Sequence, residues 1–151
     1  MTLRVLMAAA VAAILAPAAL SAHVSITPRA SIHGATEKYT VRIPSEGKVA
    51  TVAAEMDVPE GVIVEVLQSP MGWKHEVKRA DDRIVSVVWH VNVPPGEFVD
   101  VAFVARNPRQ GARIVWGLRQ KFADGTMENW TVDAKGQTRP TAVTQLSPTR
   151  P

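Results

Sequence analysis

The chain has 151 residues, of which 17 are Lys or Arg and 14 are Asp or Glu, so its formal net charge at pH 7 is +3. The basic residues are scattered and form no run of five or six, so the charge pattern does not predict a nucleic-acid or membrane partner. The absence of cysteine excludes disulfides, thiol catalysis, zinc–thiolate sites and a blue-copper site, which needs a Cys sulfur.

Residues 1–22 have the layout of a secretory signal peptide: one positive charge, Arg4, then an apolar run and an end of small residues. Cleavage after Ala22 leaves a chain that begins at His23. Cleavage after Ala18 fits the A-x-A pattern better and leaves four residues before His23. We expect an exported protein, periplasmic or otherwise extracytoplasmic, and no second apolar stretch reaches the 18 or so residues of a membrane span.

The remainder reads as short β-strands separated by turn residues about every 8–12 positions, the spacing typical of a β-sandwich. The predicted strands cover residues 39–43, 51–58, 62–67, 73–79, 84–93, 98–105, 114–122, 127–132 and 141–146. Strand 98–105 is the most continuous apolar run and is predicted to be central. Asp124-Gly125 is predicted to be a hairpin turn. We therefore predict one all-β domain over 23–146, an antiparallel β-sandwich, followed by a flexible tail over 147–151.

His23 is the main candidate metal ligand, provided that cleavage after Ala22 makes it the first residue. The α-amine and the ring Nδ1 of an N-terminal histidine can close a six-membered chelate around one metal ion. An α-amine has an ordinary pKa of about 7.7–8.0, against about 10.4 for lysine, so a metal displaces its proton easily near neutral pH. The simpler interpretation is that His23 is only the residue that follows the cleavage site.

The other histidines form no H-x-H or H-E-x-x-H pair. His33 lies in a polar segment and is the one candidate for a second ligand. His75 is predicted to face solvent, and His90 to be a half-buried strand residue. A copper oxygenase with a two-histidine brace would need such a second histidine. The sequence also contains no G-x-S-x-G elbow, P-loop or G-x-G-x-x-G motif.

Four tryptophans, at positions 73, 89, 116 and 130, are predicted to be core or half-core residues, because large aromatic side chains dominate sandwich interiors. Trp130 is the least typical of them. It follows a predicted turn, where its indole could cover a nearby site.

A series of short motifs occurs in the order found in a known family. They are Ala-His-Val at 22–24 with Pro28, Tyr-Thr-Val-Arg-Ile-Pro at 39–44 with Glu46, Ala-Thr at 50–51, Pro-x-Gly-Val at 59–62, Gly-Trp at 72–73, Pro-Gly-Glu-Phe at 95–98, Phe103 with Asn-Pro at 107–108, Trp116, and Asp-Gly at 124–125 leading to Trp130. Together they resemble the YcnI-like family of exported bacterial copper-binding domains, formerly catalogued as a domain of unknown function. The resemblance covers nearly the whole chain after the leader.

The resemblance implies an immunoglobulin-like, cupredoxin-related sandwich that binds one Cu(II) through a single-histidine brace, here the amine and imidazole of His23. It also implies an acidic side chain near the metal, for which Glu46 is the best match and Glu128 competes. The tryptophan close to the metal in the family matches Trp130, with Trp116 as the alternative.

The expected function is that of a copper chaperone or carrier in copper uptake or homeostasis, and not of an enzyme. Amine, imidazole and carboxylate donors suit Cu(II), which prefers nitrogen and oxygen ligands in tetragonal geometry. The expected partners are a membrane copper importer or another exported copper chaperone. Two alternatives stay open: a copper-dependent oxygenase, and a structural or adhesive sandwich without a metal.

Overall fold

The computed structural model describes residues 23–149. The predicted signal peptide lies outside the described residues, as do the last two residues of the predicted tail. Twelve strands and one 3₁₀ helix occur in the described part: β1 (Ser25–Thr27), β2 (Ala30–Ile32), β3 (Thr36–Pro44), β4 (Thr51–Asp57), β5 (Ile63–Leu67), β6 (Lys74–Ala80), β7 (Arg83–Val93), β8 (Phe98–Arg106), β9 (Arg113–Val115), β10 (Gly117–Phe122), β11 (Met127–Asn129), the 3₁₀ helix (Pro140–Ala142) and β12 (Val143–Ser147). Within residues 23–149, no helix has the length and apolar character needed to cross a membrane.

Two larger sheets form a sandwich. One has the strand order β1-β3-β8-β5 and the other β11-β10-β4-β7-β6, while a small third sheet has the order β2-β12-β9. The strand pairs are antiparallel except for β2 and β12, which run parallel. The predicted antiparallel β-sandwich is confirmed, and β8 is an interior strand of its sheet, as expected for the most continuous apolar run.

The core lies between the two larger sheets and follows the period-2 pattern of the sequence. In β3, Tyr39, Val41 and Ile43 are all fully buried, as their alternation predicts. Phe103 of β8 contacts the ring of Tyr39, with 5.4 Å between the centroids, and the ring of Trp116 at 5.5 Å. Burying a large apolar side chain contributes about 1.5–3 kcal/mol. Because the chain has no cysteine, this burial has to stabilise the sandwich without disulfides.

Several segments differ from the sequence prediction. The predicted strand 114–122 divides into β9 and β10, because the backbone N–H of Trp116 leaves the β10 ladder and donates to the oxygen of Ala142 at 2.9 Å. The three-residue strands β1 and β2 were not predicted, since so short a run carries little periodicity. The predicted last strand begins as the 3₁₀ helix, and Ser147, placed in the predicted tail, pairs with Ile32.

One end of the sandwich, called here the Pro44 end, comprises the start of β1, the β3–β4 loop (45–50), the β7–β8 turn (94–97) and the β10–β11 turn (123–126). The loop 45–50 is held at its base. The backbone N–H of Ser45 donates to the oxygen of Glu97 at 2.8 Å, and the N–H of Gly96 returns a bond to Ser45 at 2.8 Å. The Ser45 hydroxyl donates to the oxygen of Val49 at 2.9 Å. The backbone at this end is therefore tied together between neighbouring loops.

Candidate metal centre

His23 lies at the Pro44 end because of the register of β1. Ser25 of β1 pairs with Arg42 of β3, and continuing that register by two residues brings His23 opposite Pro44. Val24, the next residue, is buried in the core, which anchors the chain directly after the histidine. His23 itself is half-buried, so its ring is supported on one side and open to solvent on another.

The ring of His23 lies against the indole of Trp130. Their ring centroids are 4.6 Å apart and the planes are inclined at 44°. Trp130 is 6% exposed. Its backbone N–H continues the β10–β11 pairing by donating to the oxygen of Leu118 at 2.8 Å, which fixes the position of the residue beside β10. The guanidinium carbon of Arg139 lies 4.9 Å from the Trp130 ring centroid, a cation–π contact. The structure therefore brings together His23 and Trp130, two of the three predicted site residues.

A buried amide links Trp130 to the strand opposite His23. The indole Nε1 of Trp130 donates to Oε1 of Gln120 at 2.8 Å. The Nε2 of Gln120 donates to the backbone oxygen of Pro44 at 2.5 Å and to Oγ1 of Thr51 at 2.6 Å. The Thr51 hydroxyl in turn donates to the oxygen of Pro44 at 3.2 Å. Sequence reasoning missed Gln120. The signal that could have found it is its place two residues after Leu118, at a core-facing position of a predicted strand, because a buried polar residue often marks a structural or functional role.

The two candidate carboxylates lie on different elements of this end. Glu46 is exposed in the loop 45–50, directly after the buried Ser45. Glu128 is exposed in β11 and pairs directly with Gln120 of β10. Paired residues of an antiparallel ladder share one face of the sheet, so Glu128 is on the same face as Gln120. Both carboxylates are exposed to solvent.

Residues 23–146 match the family described as "Domain of unknown function (DUF1775)". The chain belongs to this family. A relative, the copper-binding protein CutI of Bacillus subtilis (strain 168), is 33% identical over 130 residues. The alignment covers 84% of this chain and 63% of CutI, so the chain spans less than two thirds of that relative's length. The resemblance to the YcnI-like family is thereby confirmed.

A solved structure supports the fold of this DUF1775 domain. It is that of an uncharacterised protein from Nocardia farcinica, described as having an immunoglobulin-like fold. The two chains are 26% identical and superpose with a TM-score of 0.67, covering 84% of this chain and 98% of the other. The immunoglobulin-like architecture expected for the chain is therefore confirmed.

The second-histidine candidate of this DUF1775 domain lies at the other end of the sandwich. His33 precedes β3, and its Nε2 lies 2.7 Å from the backbone oxygen of Gly111. His23 is opposite Pro44, where β3 ends. The nine residues of β3 make eight steps, which span about 26 Å at 3.3 Å per step. His33 and His23 are therefore not brought together.

The predicted environments of the other two histidines are wrong, and for His90 a β-bulge is the reason. His75 is half-buried, whereas His90 is exposed and its Nε2 lies 2.8 Å from Oε1 of Glu76. The β6–β7 register shifts between Lys78 and Arg79, opposite the start of β7. An alternation counted from that start therefore assigns His90 to the wrong face.

The alternative tryptophan, Trp116, belongs to the aromatic core. Its ring centroid is 4.8 Å from that of Tyr39 and 5.5 Å from that of Phe103. Its Nε1 donates to the buried hydroxyl of Thr144 at 3.2 Å. Trp116 is therefore a buried indole with a side-chain acceptor of its own, separate from the Trp130–Gln120 pair.

Charged groups outside the centre form a structural clamp. Arg119 of β10 donates to both carboxylate oxygens of Asp57, at 2.6 and 3.0 Å, and to Glu55 at 3.1 Å. The hydrogen bonds that Arg119 donates lower the pKa of Asp57 below its ordinary value, and the same bonds, accepted by Asp57, raise the pKa of Arg119. Among residues 23–149, no three side chains of the His, Cys, Asp or Glu types cluster closely enough to hold a metal ion.

Proposed function

We propose that this protein binds one Cu(II) ion through the α-amine and the ring Nδ1 of His23, after removal of residues 1–22, and carries copper outside the cytoplasm. The observation that carries the proposal is the contact of the half-buried His23 ring with the buried indole of Trp130 at the Pro44 end. The name of the DUF1775 relative from Bacillus subtilis, a copper-binding protein, supports the choice of metal.

The donor set suits Cu(II). This ion has the highest affinity in the divalent series and prefers nitrogen and oxygen donors in tetragonal geometry. An amine and an imidazole on one residue form a chelate without a cluster of several side chains. A carboxylate from Glu46 or Glu128 would add an oxygen donor and a negative charge, and both side chains are exposed at this end.

Exposure of the site favours a carrier over an enzyme. A half-buried histidine at the rim of a rigid sandwich can exchange its ion with a partner, for which we propose a membrane copper importer or another exported copper chaperone. An oxygenase with a two-histidine brace would need a second histidine near His23, and His33, the candidate, lies at the opposite end of β3.

Binding experiments on three forms of the chain test the proposal. The first begins at His23, the second retains Ala22 before it, and the third begins at position 23 with His23→Ala. We expect one Cu(II) per molecule in the first and a loss of affinity of about 100-fold or more in the other two, because residue 23 has no free α-amine in the second and no imidazole in the third. Loss of a ligand is expected to cost more than loss of an outer-shell partner, which is about 10–100-fold. His90→Ala removes an exposed histidine that is paired with Glu76, and this control should bind as the unmodified chain does.

Comparable affinity in the chains with and without Ala22 would contradict the chelate. The intact mass of the exported protein tests the cleavage site directly. A mass that does not correspond to a chain beginning at His23 would overturn the proposed copper site. Reductant-dependent peroxide formation by the copper-loaded chain, lost in His23→Ala, would assign the protein to the oxygenase alternative instead.

A further inference from the structure

We propose that Gln120 is a positioning residue of this copper site, which holds the Trp130 indole against His23 and joins it to the backbone of Pro44. The inference rests on the proposed function, since it concerns the shape of the same site. Gln120 acts through Trp130 and through Pro44, the residue that precedes the loop 45–50.

Every polar atom of the Gln120 side chain is used, although the residue is only 2% exposed. Its oxygen accepts from Trp130, and its nitrogen donates to Pro44 and to Thr51. A buried amide without partners costs stability, whereas one that is fully bonded holds its neighbours in a defined geometry.

The chemistry of the partners fixes which way the amide points. An indole N–H can only donate, so the oxygen of Gln120 faces Trp130. A backbone carbonyl can only accept, so the nitrogen faces Pro44. Rotating the amide by 180° would break both bonds, so Trp130 and Pro44 each require the orientation that satisfies the other.

These bonds join elements of both larger sheets at the level of His23. Gln120 is on β10 and Thr51 on β4, in the five-stranded sheet, while Pro44 ends β3 in the four-stranded sheet. His23 lies opposite Pro44 by the β1–β3 register and packs on Trp130. The two supports of the histidine, the indole and the strand opposite it, are therefore connected by one side chain. Trp130 and Pro44 are therefore fixed in position around His23 without a contribution from the metal.

Replacement of Gln120 by methionine, which has similar length and no hydrogen-bonding amide, tests the proposal. The matched control is Thr144→Val, which removes the side-chain acceptor of the other bonded indole, Trp116. Both variants lose a buried indole hydrogen bond, so both are expected to be less stable. With each chain beginning at His23, Gln120→Met should bind Cu(II) about 10–100-fold more weakly, the usual effect of removing an outer-shell partner. Thr144→Val should stay within about threefold of the unmodified chain.

Chelator competition on the folded fraction gives the affinities, and Cu(II) electron paramagnetic resonance reports the ligand geometry. We expect Gln120→Met to broaden or shift the Cu(II) hyperfine pattern, while Thr144→Val leaves it unchanged. A purely structural role for Gln120 would lower the unfolding midpoint and leave both copper readouts as they are. That result, or equal effects of the two variants, would overturn the proposal.

A double-mutant cycle covers the case in which Gln120→Met folds poorly. Trp130→Phe keeps an aromatic ring beside His23 and removes the indole N–H that donates to the oxygen of Gln120. If Gln120 acts through the indole, Thr51→Val and Trp130→Phe should each alter the Cu(II) spectrum, and their effects should not add. Additive effects, or unchanged spectra, would contradict the proposal. Failure of the copper site itself has a different signature: the unmodified chain would not bind Cu(II), or binding would survive in His23→Ala.

Discussion

At the scale of the residue, the two candidate carboxylates differ in how firmly the backbone supports them. Glu46 follows Ser45, whose backbone is bonded on both sides to the β7–β8 turn. Pro44, the residue before Ser45, accepts hydrogen bonds from Gln120 and Thr51. Glu128 lies in a three-residue edge strand in which every residue is exposed. A side chain that leaves from a rigid base loses less conformational freedom when it binds a metal.

We therefore expect Glu46→Gln to weaken Cu(II) binding about tenfold. The substitution keeps the size of the side chain and removes only its charge. Glu128→Gln is the matched comparison and should change the affinity by less than about threefold. Both are measured by chelator competition at the same pH, on chains that begin at His23. The reverse ranking would assign the carboxylate ligand to Glu128.

At the scale of the element, β10 stabilises the centre through both of its faces. Leu118 and Gln120 face the interior, and both are buried. Arg119, between them, faces outward and clamps β10 to Asp57 of β4. Gly117, at the start of β10, pairs with Asp57, and a Cβ added at position 117 would lie 2.9 Å from the Asp57 Cβ. The close approach of the two strands at this point thus depends on the glycine.

Gly117→Ala is expected to destabilise the protein by about 1–3 kcal/mol, the usual cost of forcing extra volume into a packed contact. The strain falls on Asp57, which also accepts the hydrogen bonds of Arg119, so the pairing of β10 with β4 is weakened at this point. Lys121→Ala, an exposed position of the same strand, should change the stability by less than about 0.5 kcal/mol. Urea denaturation followed by tryptophan fluorescence measures both, and equal midpoints would contradict the prediction.

At the scale of the whole molecule, a second buried polar network lies toward the end opposite the candidate site. The hydroxyl of Tyr39 donates to Asn107 at 2.6 Å, and the Asn107 amide donates to Ser31 at 2.9 Å. Ser31 donates to Glu37 at 2.6 Å. Burial of the phenol, together with the nearby Glu37 charge, raises the pKa of Tyr39 to about 12. The core of the sandwich is thus sensitive to deprotonation of a single buried group.

Because the folded pKa of Tyr39 is higher than the unfolded value of about 10, its contribution to stability is complete below pH 10 and is lost as the pH rises toward 12. We expect the free energy of unfolding to fall by about 1.4 kcal/mol per pH unit across that interval. Tyr39→Phe should show a shallower dependence in the same interval. The chain has a single tyrosine, so phenolate absorbance reports this group alone, and titration near pH 10 in the folded protein would contradict the prediction.

Sequence by itself determined the properties that depend on near neighbours in the chain. Alternating apolar residues predicted the inward face of β3, and the continuous apolar run of 98–105 predicted that β8 is an interior strand. Asp124-Gly125 predicted the turn between β10 and β11, where Gly125 has a φ of 86°. These features follow from a side-chain period of two and from the steric freedom of glycine. The family motifs predicted the site residues His23, Glu46 and Trp130 as a set, without their spatial relation.

Only the tertiary structure decided which residues of different strands meet. His23 and Trp130 come from opposite ends of the described chain, and they are joined because β1 pairs with β3 at one edge while β11 pairs with β10 at the other sheet's edge. The role of Gln120 depends on the same pairing, and the exposure of His90 depends on a bulge in β7, where Val85 is the extra residue. Periodicity along a strand indicates which side is buried, but the register and the neighbouring strand are set by packing between distant segments.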